Sequence, residues 1–167
     1  MKKHHNPLKK LVLFSLLALG FSAVLAQDNQ PSIKDAVAAK HFLFEPQIVL
    51  PTSGRSRQIG SQGYQMKVSG DSLVSYLPYF GRAYSAPMNG GNALDFTTTK
   101  FDYSVTDKKK GGWDVLIRPK DNSDVREFAL TVSENGFATL RALSNNRQPI
   151  SFNGKVIATP AKHTSSE

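Results

Sequence analysis

Through most of the chain, apolar and polar side chains alternate one by one. In YQMKVS, Tyr64, Met66 and Val68 share one face, and Gln65, Lys67 and Ser69 share the other. FDYSVT sets Phe101, Tyr103 and Val105 against Asp102, Ser104 and Thr106. WDVLIRP aligns Trp113, Val115 and Ile117 with Asp114 and Arg118 opposed, and EFALTV aligns Phe128, Leu130 and Val132. A period of two marks a strand with one buried and one wet face, the habit of antiparallel sheets. Runs of this kind at 42–50, 63–69, 72–77, 94–97, 101–106, 113–118, 125–133, 137–143 and 150–157 predict about eight or nine strands. Pro46, inside EPQIVLP, has no N–H to give a ladder, so its strand is expected to be bulged or at an edge.

Between the runs stand SGDS (69–72), DKKKGG (107–112), KDNSD (120–124), ENG (134–136) and SNNRQP (144–149), rich in the residues that tight turns need. One segment breaks the two-residue period. PSIKDAVAAKHF offers Ser32 as an N-cap, Asp35 three residues on, and Ile33, Ala36 and Val37 at helical spacing, which predicts a short helix over 32–40. A sheet of this many strands curls or closes on itself. The expected fold is therefore mainly β: a single antiparallel β-barrel or strongly curled sheet of about eight strands with one short N-terminal helix.

The first residues follow another rule. Lys2, Lys3, Lys9 and Lys10 precede the apolar run Leu11–Ala26, and Val24 and Ala26 stand at −3 and −1 before Gln27. This is the pattern of a cleaved signal peptide, and the run is short of the ~20 residues that span a bilayer. The expected organisation is a signal peptide over 1–26, a polar leader over 27–31, one mainly-β domain over 32–157 and a disordered tail over 158–167. Cleavage would leave 141 of the 167 residues, enough for one core. Four of the 21 Lys and Arg and none of the 13 acids lie in the signal, so the formal charge of +8 falls to +4. The basic balance is mostly an address, and nucleic acid is not an expected partner. No cysteine is present, which excludes both a disulfide framework and a lipid anchor at the cleavage point. The expected location is the periplasm or the exterior, without a stable membrane span.

Several blocks together, SGDSLVSYLPYFGRAYSAP, FDYSVTDKKKGGWDVLIRPKD, VSENGFATL and NNRQPISFNG, resemble the family catalogued as domain of unknown function 4251, small exported proteins of Gram-negative bacteria. The resemblance runs from about Phe42 to about Gly154. It implies an envelope location and a compact, mainly β domain, and it carries no catalytic residues with it.

Chemistry is sparse. Outside the signal, histidine occurs only as His41 and His163, and a zinc site needs three or four converging ligands. His41 shares a parity with Glu45, opposite Phe42 and Phe44, and is expected in solvent. No nucleophile elbow, phosphate-cradling loop or dinucleotide fingerprint occurs. Asp95, Asp102, Asp107, Asp114, Asp121, Asp124 and Glu127 could supply a carboxylate pair to a glycan-directed hydrolase, although most belong to turns or wet faces. DNSDVRE lacks the glycine and the length of a calcium loop, and KKKGGW reads as a charged hairpin tip with Trp113 turned inward.

The richest stretch is SYLPYFGRAYSAP. Tyr79, Phe80, Arg82 and Tyr84 form a candidate ligand- or partner-binding loop, with flat rings and a planar cation. The competing reading is a structural plug, in which the rings close the barrel end and Arg82 stacks and donates to carbonyls. Taken together, the residues point to a non-enzymatic binding or structural β domain without a cofactor. Its partner would be a small apolar ligand, within a wall of Tyr64, Met66, Tyr103, Trp113 and Phe128, or an envelope protein. The protein would be a monomer or small homo-oligomer. The paired-carboxylate hydrolase is the alternative.

Overall fold

A computed structural model describes residues 31–84, 93–122 and 124–160. The expected signal peptide, all but Pro31 of the polar leader and the tail from residue 161 lie outside the described residues. Within them the chain forms helix α1 (Ile33–Ala38) and strands β1 (His41–Pro51), β2 (Arg57–Gln58), β3 (Gln65–Ser69), β4 (Ser72–Tyr76) and β5 (Asp95–Thr98). It continues with β6 (Phe101–Asp107), β7 (Trp113–Pro119), β8 (Val125–Val132), β9 (Phe137–Ser144) and β10 (Ile150–Ala158).

The strands hydrogen-bond in the order β5-β4-β3-β1-β10-β9-β8-β7-β6, and β2 adds to β1. Every pairing is antiparallel. The two edge strands, β5 and β6, are consecutive in the chain with only Thr99 and Lys100 between them. They act as one bent strand whose first half pairs with β4 and whose second half pairs with β7. The joint is tied to the end of β7: Thr98 Oγ1 donates to Asp121 Oδ1 (2.7 Å), and Lys120 N donates to Lys100 O (2.8 Å). The result is a nearly closed antiparallel barrel, as the alternating pattern predicted. Closure leaves few unpaired edges for another chain to extend.

The inward residues fill the barrel. Phe42, Phe44, Met66, Phe128, Leu140 and Phe152 have no exposed surface at all. Each of these large side chains contributes about 1.5–3 kcal/mol by leaving water. Phe96 of β5 lies parallel to Phe128 of β8 across the interior, with ring centroids 6.1 Å apart. Met66, Trp113 and Phe128, expected as the wall of a ligand chamber, are therefore spent on the core, with Tyr64 and Tyr103 packed against it.

Six residues make too short a helix to persist alone, so packing must hold α1. Ser32 Oγ accepts from Asp35 N (3.1 Å) and donates back to its carboxylate (2.7 Å), closing the predicted cap. Ala36 and Val37 are buried. Tyr103 Oη donates to Val37 O (2.7 Å), and Gly70 N donates to Lys40 O (2.9 Å). The helix thereby covers the end of the barrel at which β1 begins, beside the free edge of β6.

Four expectations need correction. Val105 was placed on the inward face, yet it is 38% exposed, because β6 runs past the helix that covers Tyr103. His41 was expected in solvent; it is half-buried, with Nδ1 shielded and unbonded. β2 was missed, since two exposed residues carry no periodicity. The last strand extends to Ala158, opposite Phe42, and Thr159 N still donates to His41 O (3.1 Å). The Pro46 expectation resolves to a bulge: Pro46 pairs with Gly154 and Ile48 with Asn153, leaving Gln47 as an extra residue.

Candidate functional site

The barrel ends differ in construction. At the end where β1 starts, β3–β4, β6–β7 and β8–β9 turn back in tight hairpins beside α1. At the other end lie the connections 52–56 and 59–64 around β2, 77–94, 120–124 and 145–149, of which 77–94 is the longest. The aromatic loop belongs to this second group.

After β4, Leu77 and Pro78 turn inward and are buried. Tyr79 follows half-buried, and its hydroxyl reaches two carbonyls, Arg82 O (2.9 Å) and Gln148 O (3.0 Å). Residues 82–84 lie antiparallel to residues 146–148: Gln148 N donates to Arg82 O (3.0 Å) and Tyr84 N to Asn146 O (2.8 Å). Two guanidinium groups seat the rings. Arg147 stands 5.2 Å from the centre of Tyr79, and Arg57 stands 4.8 Å from the centre of Phe80. Arg147 is 8% exposed, with Nη2 3.7 Å from Asp124 Oδ2. Asp124 Oδ1 in turn accepts from Asn146 Nδ2 (3.4 Å). Burial pushes the Tyr79 phenol above its ordinary pKa, and the Arg147 charge partly opposes that rise.

The four predicted residues thus divide. Tyr79 and Phe80 pack against the core and are half covered. Arg82 and Tyr84 are exposed, Tyr84 at 70% of its surface. The stacking expected of Arg82 is performed by Arg57 and Arg147 instead; Arg82 contributes its carbonyl. Neither of those arginines drew notice in the sequence. Each sits in a polar turn-like stretch, far along the chain from the ring it meets, and only the closure of the barrel brings them together.

The described carboxylates lie on wet strand faces and in turns. Every described Asp and Glu is at least partly exposed. Several are matched locally: Arg118 with Glu127 (2.7 Å), Lys120 with Asp102 (2.6 Å), Lys108 with Asp114 (3.5 Å). Asp121 accepts from Thr98. In the 120–124 turn the Asn122 side-chain oxygen is occupied by Asp124 N (2.9 Å) and Val125 N (2.8 Å), as a turn asparagine does. Among the described residues no group of three His, Asp or Glu converges to hold a metal, and no helix is long and apolar enough to cross a membrane.

No curated protein matches the chain. Its fold is similar to the crystal structure of a DUF4251 family protein from Bacteroides eggerthii, with a TM-score of 0.55 at 21% identity, over 75% of this chain and 86% of that one. The family described as Domain of unknown function (DUF4251) matches residues 25–156, and that span, most of the chain and nearly all of the barrel, makes this protein a member of the DUF4251 family.

Proposed function

We propose that this protein is an exported, non-catalytic binding domain that uses the loop-bearing end of its barrel to engage a protein partner in the periplasm or outside the cell. The signal-like leader supports export. The observation that carries the binding reading is the state of Arg82 and Tyr84: both are exposed on a segment already ordered by its ladder to residues 146–148. Tyrosine and arginine are over-represented among residues that dominate protein–protein affinity, and a pre-ordered backbone lowers the entropy lost on binding. A small apolar ligand in the interior has less support, since the residues meant to surround it enclose one another. The paired-acid hydrolase has none, since the described acids lie outward.

The test is Arg82→Ala combined with Tyr84→Ala. A photo-crosslinker placed at position 84 should trap one defined partner in the native host, and one placed at Lys109 should not. The double substitution should abolish that adduct while changing thermal stability by less than about 0.5 kcal/mol, as exposed sites do. Stability falling by several times that amount, with no adduct from position 84, would return the loop to a purely structural role.

A further inference from the structure

The β1 bulge has a consequence on the outer wall, beside the 59–64 connection. β1 pairs with β3 only as far as Phe44 opposite Met66, and with β2 from Ile48 opposite Gln58. Between those pairings the chain holds Pro46, which has no N–H, and Gln47, the extra residue of the bulge against β10. The strands part there. The opening is a groove of about 480 Å³ lined by Glu45, Gln47, Gln58, Tyr64 and Gln65 among others. On the far side of Gln47 lies a second groove of about 330 Å³, over Thr131, Phe137, Thr139 and Asn153. Gln47 lines both. Bulges re-aim side chains and recur beside functional sites. Here the bulge also dictates a glycine: at Gly154 any Cβ would overlap the Glu45 carbonyl and the Pro46 backbone, so β10 lies hard against the kink.

We propose that this bulged wall is a binding groove for an uncharged oligosaccharide, centred on Gln47. Three observations select that chemistry. First, Glu45 is the sole charged residue lining either groove among the described residues, and Lys155, opposite it on β10, balances its charge, so the wall has no net positive charge to hold phosphate or a polyanion. Second, the side chains of Gln47, Gln58 and Gln65 form no hydrogen bonds with other described residues, so each amide keeps two donors and an acceptor for adjacent sugar hydroxyls. The floor beyond them is fixed in place: Thr139 Oγ1 donates to Asn153 Oδ1 (3.0 Å) and Thr131 Oγ1 to Asp114 Oδ1 (2.6 Å). Third, aromatic rings stand at both ends. Phe137 is 54% exposed, with Lys155 over its ring. Tyr76, 43% exposed, pairs with Tyr64 at 5.3 Å. Such rings suit the C–H face of a sugar. They belong to β9 and β4, four strand spacings apart or about 19 Å around the wall, which fits a chain of several sugars and not a single one. An extended peptide fits less well: strand addition needs free backbone groups, yet Pro46 has no N–H and Gln47 O already accepts from Ile59 N (2.8 Å).

The experiment titrates the full chain, by protein-observed NMR, with uncharged linear hexasaccharides of glucose, galactose, mannose and N-acetylglucosamine, and with the matching monosaccharides. At least one hexasaccharide should bind and shift Gln47, Gln58 and Gln65, with its monosaccharide about tenfold weaker or more. Gln47→Ala and Tyr76→Ala, both at exposed positions, should each weaken binding about tenfold while the thermal midpoint holds. Arg82→Ala with Tyr84→Ala should leave it unchanged, which keeps this groove distinct from the loop end. Absence of binding by every hexasaccharide at about 10 mM would overturn the proposal. So would undiminished binding by Gln47→Ala, or an unstructured polar peptide giving the same shifts more tightly than any sugar.

Discussion

The two ends of the barrel close by different physics. At the helix end each turn is local: a hairpin folds back on its neighbour, and α1 lays Ala36 and Val37 over the opening. At the loop end the closure is shared among distant segments. Arg147 meets Tyr79 and Asp124, Tyr79 meets Arg82 and Gln148, Arg57 meets Phe80, and Thr52 Oγ1 donates to Pro149 O. Polar atoms are enclosed without a hydrogen bond at both ends: Arg147 Nη2 and Gln148 Oε1 here, His41 Nδ1 and Thr159 Oγ1 beside the helix. The helix end is built for stability, one residue at a time. The loop end rests on mutual dependence, and it is where exposed Arg82 and Tyr84 stand. Mutations in the hairpins of the helix end should thus act independently, Lys40 and Tyr103 being coupled only to each other, and mutations at the loop end should act together.

The largest effect is expected at the helix end, in the β6–β7 hairpin. Gly112 has φ +84°, and a Cβ there would run into the Val132 carbonyl oxygen. Gly112→Ala should cost about 3 kcal/mol in urea unfolding, from the left-handed backbone and the overlap together. A loss below about 1 kcal/mol would mean that the hairpin relaxes freely and that this end is softer than its geometry implies.

Next comes Arg147→Ala at the loop end, expected to cost about 2 kcal/mol. A desolvated cation–ring contact accounts for most of it. The Asp124 side chain is 27% exposed and its contact with Nη2 is 3.7 Å, so the carboxylate rehydrates and the larger penalty of a dry ion pair does not apply. The sharper measurement is a double-mutant cycle. Arg147→Ala with Tyr79→Leu, which removes the ring, should be non-additive by about 1 kcal/mol, whereas Arg147→Ala with Gly112→Ala should add. Additivity in the first pair would erase the contrast between the ends.

The same contrast explains what could be read from the chain. Strand after strand was legible because burial on one face imposes a period of two, and Ser32 and Asp35 announced the helix because a cap is a local interaction. Hairpin turns were legible for the same reason. What escaped notice was long-range. Arg57 and Arg147 acquire meaning only when a ring from 77–84 arrives beside them, and Val105 lost its cover because α1 stops at Tyr103. Pro46 lay between these cases. Its missing N–H marked a bulge, but the groove that the bulge opens depends on where β2, β3 and β10 go.

Tyr103 tests the helix end more gently. Its hydroxyl donates to Val37 O, and burial pushes its pKa well above that of a free phenol. The fold favours the protonated form, so this contribution is complete below the unfolded value near 10 and is lost as pH rises beyond it. Tyr103→Phe should cost about 1 kcal/mol at neutral pH through the lost hydrogen bond. Above pH about 10 it should also flatten the decline of stability, because the ring no longer ionises. Equal pH slopes for both proteins would show that the helix end opens to solvent before the barrel unfolds.

The smallest effect should be a gain. Lys40, just past α1, is the only non-glycine residue at positive φ among the described residues, at 59°. It ends the helix: Lys40 N donates to Val37 O (3.3 Å), and Lys40 O receives Gly70 N. Glycine is the usual occupant of that position because a Cβ crowds the neighbouring carbonyl by about 1 kcal/mol. Lysine offsets part of this strain, since its ammonium stands 5.5 Å from the centre of the Tyr103 ring, a contact of about 0.5 kcal/mol where exposed. Lys40→Gly should therefore stabilise by about 0.5 kcal/mol, measured as a higher urea midpoint at unchanged m-value. In a Tyr103→Phe background the gain should persist, because a phenylalanine ring still attracts the ammonium. In a Tyr103→Leu background it should rise towards about 1 kcal/mol, because only the strain is left. A gain that ignores the ring would mean that Lys40 is held by its backbone alone.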